Sequence, residues 1–317
     1  MTEIDPPAAH RFSPITRGRI CVLLAAVLWS SSGLFVKAPL FADWPLEARG
    51  MLLAFWRALF AGLILLPAVR RPRFRPTLIP MVVCFVAMSA TYLSAMTQTT
   101  AANAIWLQST APFWIFLLSL TLGIERVERT NFVPLALAAV GVGTILFFEI
   151  QGQSRLGIVC GLLAGMAYAG VVVFMRALRG EDSAWLVAVN HVAAAAILLP
   201  YVIYVGHWPD WQQAGLLVAF GCFQMGLPYL LLARGLRSVS SQEATAIGLV
   251  EPLLLPVWVL LAYGERPAVW TLAGGAFILA GLLLRYGGAL VRLGSGRAAA
   301  PIVLQEHDRR EAEYRDG

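Results

Sequence analysis

Glu251 lies deep in a long apolar run, directly before Pro252 and about one turn ahead of Pro256. If that run is a membrane helix, a charged carboxylate at its centre costs about 2.5–3.5 kcal/mol to insert, so the residue has a use. It can contact a cationic group, carry a proton, or sit protonated and tied to a neighbouring helix. The two prolines each remove a backbone donor and predict a kink, as Pro112 does in an earlier run. His191, beside Asn190, is the second group able to exchange a proton near neutral pH; the alternative is an interhelical hydrogen bond. Arg57 could attract an anionic group or act structurally, satisfying carbonyls or a carboxylate on an adjacent helix. Asn103 and Glu243 fall at the starts of two runs, where such side chains cap helices; a gating role in the loops is the alternative. Trp29, Tyr92, Gln108, Tyr168, Gln224 and Tyr229 supply rings and amides that could line a site for an organic molecule, although aromatics near helix ends also serve as interfacial anchors.

Nothing among these residues forms a catalytic unit. H-E-x-x-H, G-x-S-x-G and paired membrane aspartates are absent, so no catalytic residue, metal site or cofactor is expected. The P-loop pattern G-x-x-x-x-G-K-[ST] is missing too, which argues against ATP hydrolysis by this chain. Cys21, Cys84, Cys160 and Cys222 lie in apolar runs without C-x-x-C spacing and read as packing residues.

The elements that must position these side chains follow from composition. Of 317 residues, 59 % are hydrophobic and 13 % charged, and mean hydropathy is +0.72, leaving too little polar surface to cover a water-soluble fold. Apolar runs recur at 20–37, 50–69, 78–96, 100–122, 131–149, 157–175, 184–204, 213–233, 242–263 and 268–289, each near the ~20 residues needed to span ~30 Å of hydrocarbon. Their length and uniform apolarity predict helices rather than barrel strands. The expected fold is therefore an all-α membrane protein with ten transmembrane helices. The first run leads to Lys37 without a cleavage site and reads as retained.

The net charge of +6 becomes an orientation signal on this layout, not a sign of nucleic-acid binding. With a cytoplasmic amino end, the inner side receives the arginines at 11, 17, 19, 70, 71, 73, 75, 126, 129, 176, 179, 234, 237, 285, 292, 297, 309, 310 and 315; the outer side receives Lys37, Arg49, Arg155 and Arg266. Nineteen against four, with Arg57 inside a span, accounts for all 24 basic residues and predicts both termini in the cytoplasm.

The two halves echo each other. Ala104, Pro112, Glu125, Arg126 and Gly141 recur 140 residues later as Ala244, Pro252, Glu265, Arg266 and Gly281; one residue out of that register, Gly18, Ala25, Trp29 and Lys37 face Gly157, Ala164, Tyr168 and Arg176. The repeat unit is five helices, and an odd number of crossings inverts the second copy, a common architecture of secondary transporters. The expected organisation is a cytoplasmic segment 1–17, repeats at 18–150 and 151–290, and a polar cytoplasmic tail 291–317. Gly157, Gly161, Gly165 and Ala169 form a small-residue ridge suited to close helix packing, within the fold or at a dimer interface; the chain is expected to be a monomer or a homodimer.

Several stretches carry a family resemblance. The run Leu23 to Lys37, with Trp29-Ser30-Ser31-Ser32-Gly33, the segment Phe55-Trp56-Arg57-Ala58, and the paired motifs Thr110-Ala111-Pro112 with Gly123-Ile124-Glu125-Arg126 and Val250-Glu251-Pro252 with Tyr263-Gly264-Glu265-Arg266 resemble the EamA-like branch of the drug/metabolite transporter superfamily. The resemblance covers roughly residues 18 to 290; the second half has Tyr168 and Val172 in place of Trp29 and Gly33. It implies two five-helix repeats in the inner membrane and export of a small organic solute, an amino acid, metabolite or drug, through a midplane cavity by alternating access. A flippase for lipid-linked sugars is the alternative, and an intramembrane enzyme a weaker one.

Overall fold

The computed structural model describes residues 13–121, 132–149 and 155–294, without the side chains of 118–121, 241–242 and 286–294. The Glu125–Arg126 motif, residues 1–12 and the polar tail beyond Gly294 lie outside the described residues. Every regular element described is helical: α1 Pro14–Ser30, α2 Ser32–Val36, α3 Leu46–Leu65, α4 Leu78–Gln98, α5 Ala101–Gln108, α6 Ala111–Thr121, α7 Phe132–Glu149, α8 Arg155–Ala177, α9 Ser183–Val205, α10 Trp211–Ala219, α11 Leu227–Gly235, α12 Ser241–Gly248, α13 Val250–Tyr263 and α14 Val269–Gly294. A π-helical segment, Phe220–Gly226, joins α10 to α11.

Among the described residues, eight helical stretches are long and apolar enough to cross a membrane, several of them assembled from two consecutive helices. The protein is a multi-pass membrane protein. The two remaining expected spans fall on α5 with α6 and on α14, whose apolar part Val269–Arg285 is a shorter stretch. Side-chain distribution follows the lipid solvent. Leu261, Val269 and Phe147 are exposed, whereas Arg57, Ser89, Asn103, Asn190, His191 and Gln224 are buried, the arrangement expected where the surroundings are hydrocarbon and the polar groups need protein partners.

Helix ends are set locally. The hydroxyls of Ser13, Thr100 and Ser240 accept the amides of Thr16, Asn103 and Glu243, and the Asp182 and Asp210 carboxylates accept those of Ala184 and Gln213, satisfying amides that the first turn leaves free. Gly206 and Gly264 end α9 and α13 with φ of 67° and 70°, a conformation glycine adopts without strain. The capping expected of Asn103 and Glu243 is thus corrected by three residues: their backbone amides are the capped groups, and Thr100 and Ser240 are the caps. The prolines also act differently from a simple kink. Pro112 and Pro252 stand in the first turns of α6 and α13, just after breaks at Ser109–Thr110 and Leu249, where a missing donor costs little. Pro256 lies inside α13.

Long-range packing pairs α3 with α9, α7 with α14, α4 with α8, and α1 with α11. The ridge on α8 is used within the fold. A Cβ on Gly161 would lie 2.8 Å from Leu107 Cδ1 and one on Gly165 2.6 Å from the Leu107 carbonyl oxygen, so α8 approaches α5 at backbone distance.

Candidate functional site

Arg57, 2 % exposed on α3, is the centre of a polar and aromatic cluster. Its Nη2 donates to Ser89 Oγ on α4 at 2.8 Å, and its guanidinium carbon stands 5.4 Å from the centre of the Phe220 ring, within cation–π range. Tyr92, Tyr229 and Glu251 are all within electrostatic reach of it. The partners expected from the sequence, a carbonyl or carboxylate, are replaced for Nη2 by a hydroxyl and supplemented by a ring. Tyr92 in turn shares a hydrogen bond of 3.3 Å with Ser32 at the start of α2.

A chain of rings continues from this centre. Trp29 meets Tyr229 edge-on at 5.2 Å, Tyr229 meets His191 at 5.7 Å, and His191 meets Phe85 at 4.8 Å. Gln224 Nε2 donates to the Trp29 carbonyl at 3.1 Å, tying the π segment to α1. That segment reaches the site because Gly221 has no side chain: a Cβ there would fall 2.9 Å from the Arg57 carbonyl oxygen. Its widened turn sits beside Phe220 and Gln224, and π segments of this length recur at functional positions. Trp29, Tyr92, Gln224, Tyr229, Glu251, His191 and Arg57 therefore gather around the places where α1, α12 and the α10–α11 helix are interrupted.

Other expected residues stand apart. Gln108 is half-buried at the last position of α5, and Tyr168 is 41 % exposed on α8; neither is among the rings and bonds just described. Asn103 belongs to a separate node, where its Oδ1 accepts from Thr271 Oγ1 at 2.8 Å and its Nδ2 donates to Thr99 Oγ1 at 3.0 Å. Glu243 pairs with Arg19 at 2.6 Å. At the far ends of the consecutive pairs α1–α2 and α12–α13, Glu265 pairs with Lys37 at 2.7 Å. Near the α5–α6 break, a cleft touching Ser109, Thr110, Pro112, Pro134, Gly281 and Arg285 encloses about 20 Å³, room for roughly one water. Among the described residues no group of three His, Cys, Asp or Glu gathers as metal ligands would.

Ser89, Phe85 and Phe220 carry no signal in the sequence, and Ser32 enters there only as part of the run that bears the family resemblance. A single serine or phenylalanine in an apolar run carries no pattern.

Against this geometry, comparison with known proteins is decisive on kinship. The EamA-like transporter family matches residues 16–147 and again 155–287. The chain belongs to that family. An uncharacterized transporter of Archaeoglobus fulgidus is 29 % identical over 272 residues, 85 % of this chain and 96 % of the relative. The pseudopaline exporter CntI of Pseudomonas aeruginosa is 25 % identical over 213 residues, 63 % of this chain and 72 % of the exporter. A solved crystal structure has a TM-score of 0.61 at 18 % identity, covering 86 % of this chain and 96 % of its own, and so shares the fold. This EamA-like chain thus joins a transporter family through both of its halves.

Proposed function

We propose that this protein is a secondary transporter that exports a small organic solute by alternating access, with the solute held among Trp29, Tyr92, Gln224, Tyr229 and Glu251 and flanked by Arg57 and His191. The observation that carries this reading is the assembly of charged, polar and aromatic side chains from both family-matched segments at the interruptions of their helices. Buried charge within a membrane protein is costly and is retained where it works on a solute or proton.

The reading extends to the architecture. Two inverted units, 18–150 and 151–290, each of five helices, would enclose the site from opposite sides of the inner membrane, with both termini cytoplasmic. The exchange of partners supports this: α1 packs on α11 and α12, while α8 packs on α4 and α5. The breaks at Ser109 and Leu249 and the caps at Thr100 and Ser240 also recur 140 residues apart. Export as the direction is supported by the likeness to the pseudopaline exporter. Gln108 and Tyr168 remain candidate lining residues, and the assembly is a monomer or a homodimer.

Purified protein in liposomes, tested with amino acids, nucleosides and cationic drugs, with and without an imposed pH gradient, is the direct assay. Saturable accumulation above protein-free liposomes is expected for at least one class. Glu251→Gln is expected to alter rate and pH profile; normal transport with an unchanged profile would remove Glu251 from the mechanism.

A further inference from the structure

The connection from α3 to α4 places four arginines, three prolines and one phenylalanine within residues 67–76. The prolines fix φ and narrow the conformations open to it. Its main chain is anchored to the turn between α8 and α9. The Asp182 carboxylate accepts the amides of Arg70 and Arg71 at 2.9 and 3.1 Å, and the Arg73 carbonyl accepts Trp185 Nε1 at 2.8 Å. One of the four guanidinium groups is engaged, that of Arg75, which donates to Glu181 Oε1 at 2.8 Å. Those of Arg70, Arg71 and Arg73 have no partner among the described residues, and all three residues are exposed. Phe74, between Arg73 and Arg75 in the chain, is 73 % exposed.

The loop stands where two spans leave the membrane. Leu46–Ala68 ends just before it and Leu78–Gln98 begins just after it. On those helices Leu63, Leu66, Ile79 and Val83 are exposed apolar side chains bordering the loop, as lipid-facing residues are. A cationic segment with an exposed ring is thus held at the depth where hydrocarbon gives way to phosphate. We infer that residues 70–75 form a docking surface for anionic phospholipid headgroups, with Arg71 and Arg73 pairing with phosphates and Phe74 resting against the upper acyl chains. Guanidinium pairs with phosphate through parallel hydrogen bonds, and an aromatic ring at this depth acts as an interfacial anchor. Orienting the chain needs positive charge on one side of the membrane. It needs neither the anchored main chain nor the exposed ring, and a fixed lipid-binding surface needs both.

Full-length protein in neutral detergent is titrated with dioleoylphosphatidylglycerol or with dioleoylphosphatidylcholine, and the rise in melting temperature is followed against lipid concentration. The anionic lipid is expected to reach half its effect at a lower concentration than the zwitterionic one. Arg71→Gln and Arg73→Gln are each expected to weaken the phosphatidylglycerol effect about fivefold, the contribution of one basic residue near an anionic surface, and to change the phosphatidylcholine effect less. Phe74→Ser is expected to weaken both lipids alike and keep their ratio. That ratio is taken within each variant, so a change in the variant's own stability does not move it. Arg234→Gln combined with Arg237→Gln, two exposed arginines at and after the end of α11, is the control and is expected to retain the preference. No preference in the parent, a full preference in the Arg71→Gln/Arg73→Gln protein, its loss in the control, or equal stabilisation by inorganic phosphate alone would overturn the inference. None of these outcomes bears on the transport reading.

Discussion

Glu265 and Lys37 form an ion pair of 2.7 Å that joins the end of α2 to the segment after α13. The second Glu265 oxygen accepts the Ala101 amide at 2.6 Å, and Lys37 also donates to the Thr99 carbonyl at 2.7 Å. One carboxylate therefore caps α5 and pairs with a lysine at once. Glu265→Gln retains an oxygen for the amide and loses the ion pair, for an expected loss of about 1 kcal/mol or less at this partly exposed site. Glu265→Ala loses both and is expected to cost roughly 1–2 kcal/mol. Thermal melting of both variants in detergent checks the order.

Asp182 stands outside the membrane spans and holds two chain segments. Its Oδ2 accepts the amides of Arg70 and Arg71 at 2.9 and 3.1 Å, and its Oδ1 that of Ala184 at 3.0 Å. Burial acts to raise its carboxyl, but backbone amides, that of Trp185 included, outweigh it and hold the group below the ordinary value of 3.8. A carboxylate depressed in the folded state contributes stability above its unfolded value and loses it as pH falls through its folded one. The loss is therefore expected in the window below pH 3.8. Asp182→Ala is expected to cost about 0.5–2 kcal/mol at neutral pH. Asp182→Asn keeps one accepting oxygen and turns an NH2 toward the remaining amides, so it is expected to fall between Asp182→Ala and the parent there and to flatten the acid limb of a melting-against-pH series.

The α8 ridge and an open glycine make a paired test. Gly165→Val would drive side-chain atoms into the Leu107 carbonyl and Thr110 and is expected to destabilise by about 1–3 kcal/mol or more. Gly143, on α7, has nothing within 4 Å of the place a Cβ would take, so Gly143→Ala is expected to be neutral or to stabilise by up to roughly 1 kcal/mol. Melting temperatures of the two proteins should move in opposite directions or only the first should move.

Ser89→Ala leaves one Arg57 donor without its hydroxyl. The expected cost is about 1–3 kcal/mol, because the guanidinium stays buried. Ser89→Thr, which keeps the hydroxyl, is expected to restore most of it. Comparing both by melting and by uptake separates support of Arg57 from simple packing.

The helical stretches were legible because lipid imposes length and apolarity on each of them separately: the run read as 184–204 is α9 within one residue at each end. The candidate cluster was legible where a residue type is costly in hydrocarbon, as with Arg57, His191, Gln224 and Glu251, while their part in transport is a proposal. It was not legible for Ser89, Ser32 and Phe220, whose types are ordinary in membrane helices and whose importance comes only from standing beside Arg57 or Tyr92 in space. The Asn103 and Glu243 assignments slipped because several polar residues cluster at those helix starts, and only φ and hydrogen bonds decide that Thr100 and Ser240 take the capping position.

Alternating access is tested at its root by asking whether the Arg57–Tyr229 cluster can be reached from both sides of the membrane. With Cys21, Cys84, Cys160 and Cys222 replaced by alanine, a single Gln224→Cys is exposed to a membrane-impermeant thiol reagent in right-side-out and in inside-out vesicles. Labelling is expected from both faces, each slowed by a transported solute; labelling from one face alone, or from neither, would contradict transport through this cluster.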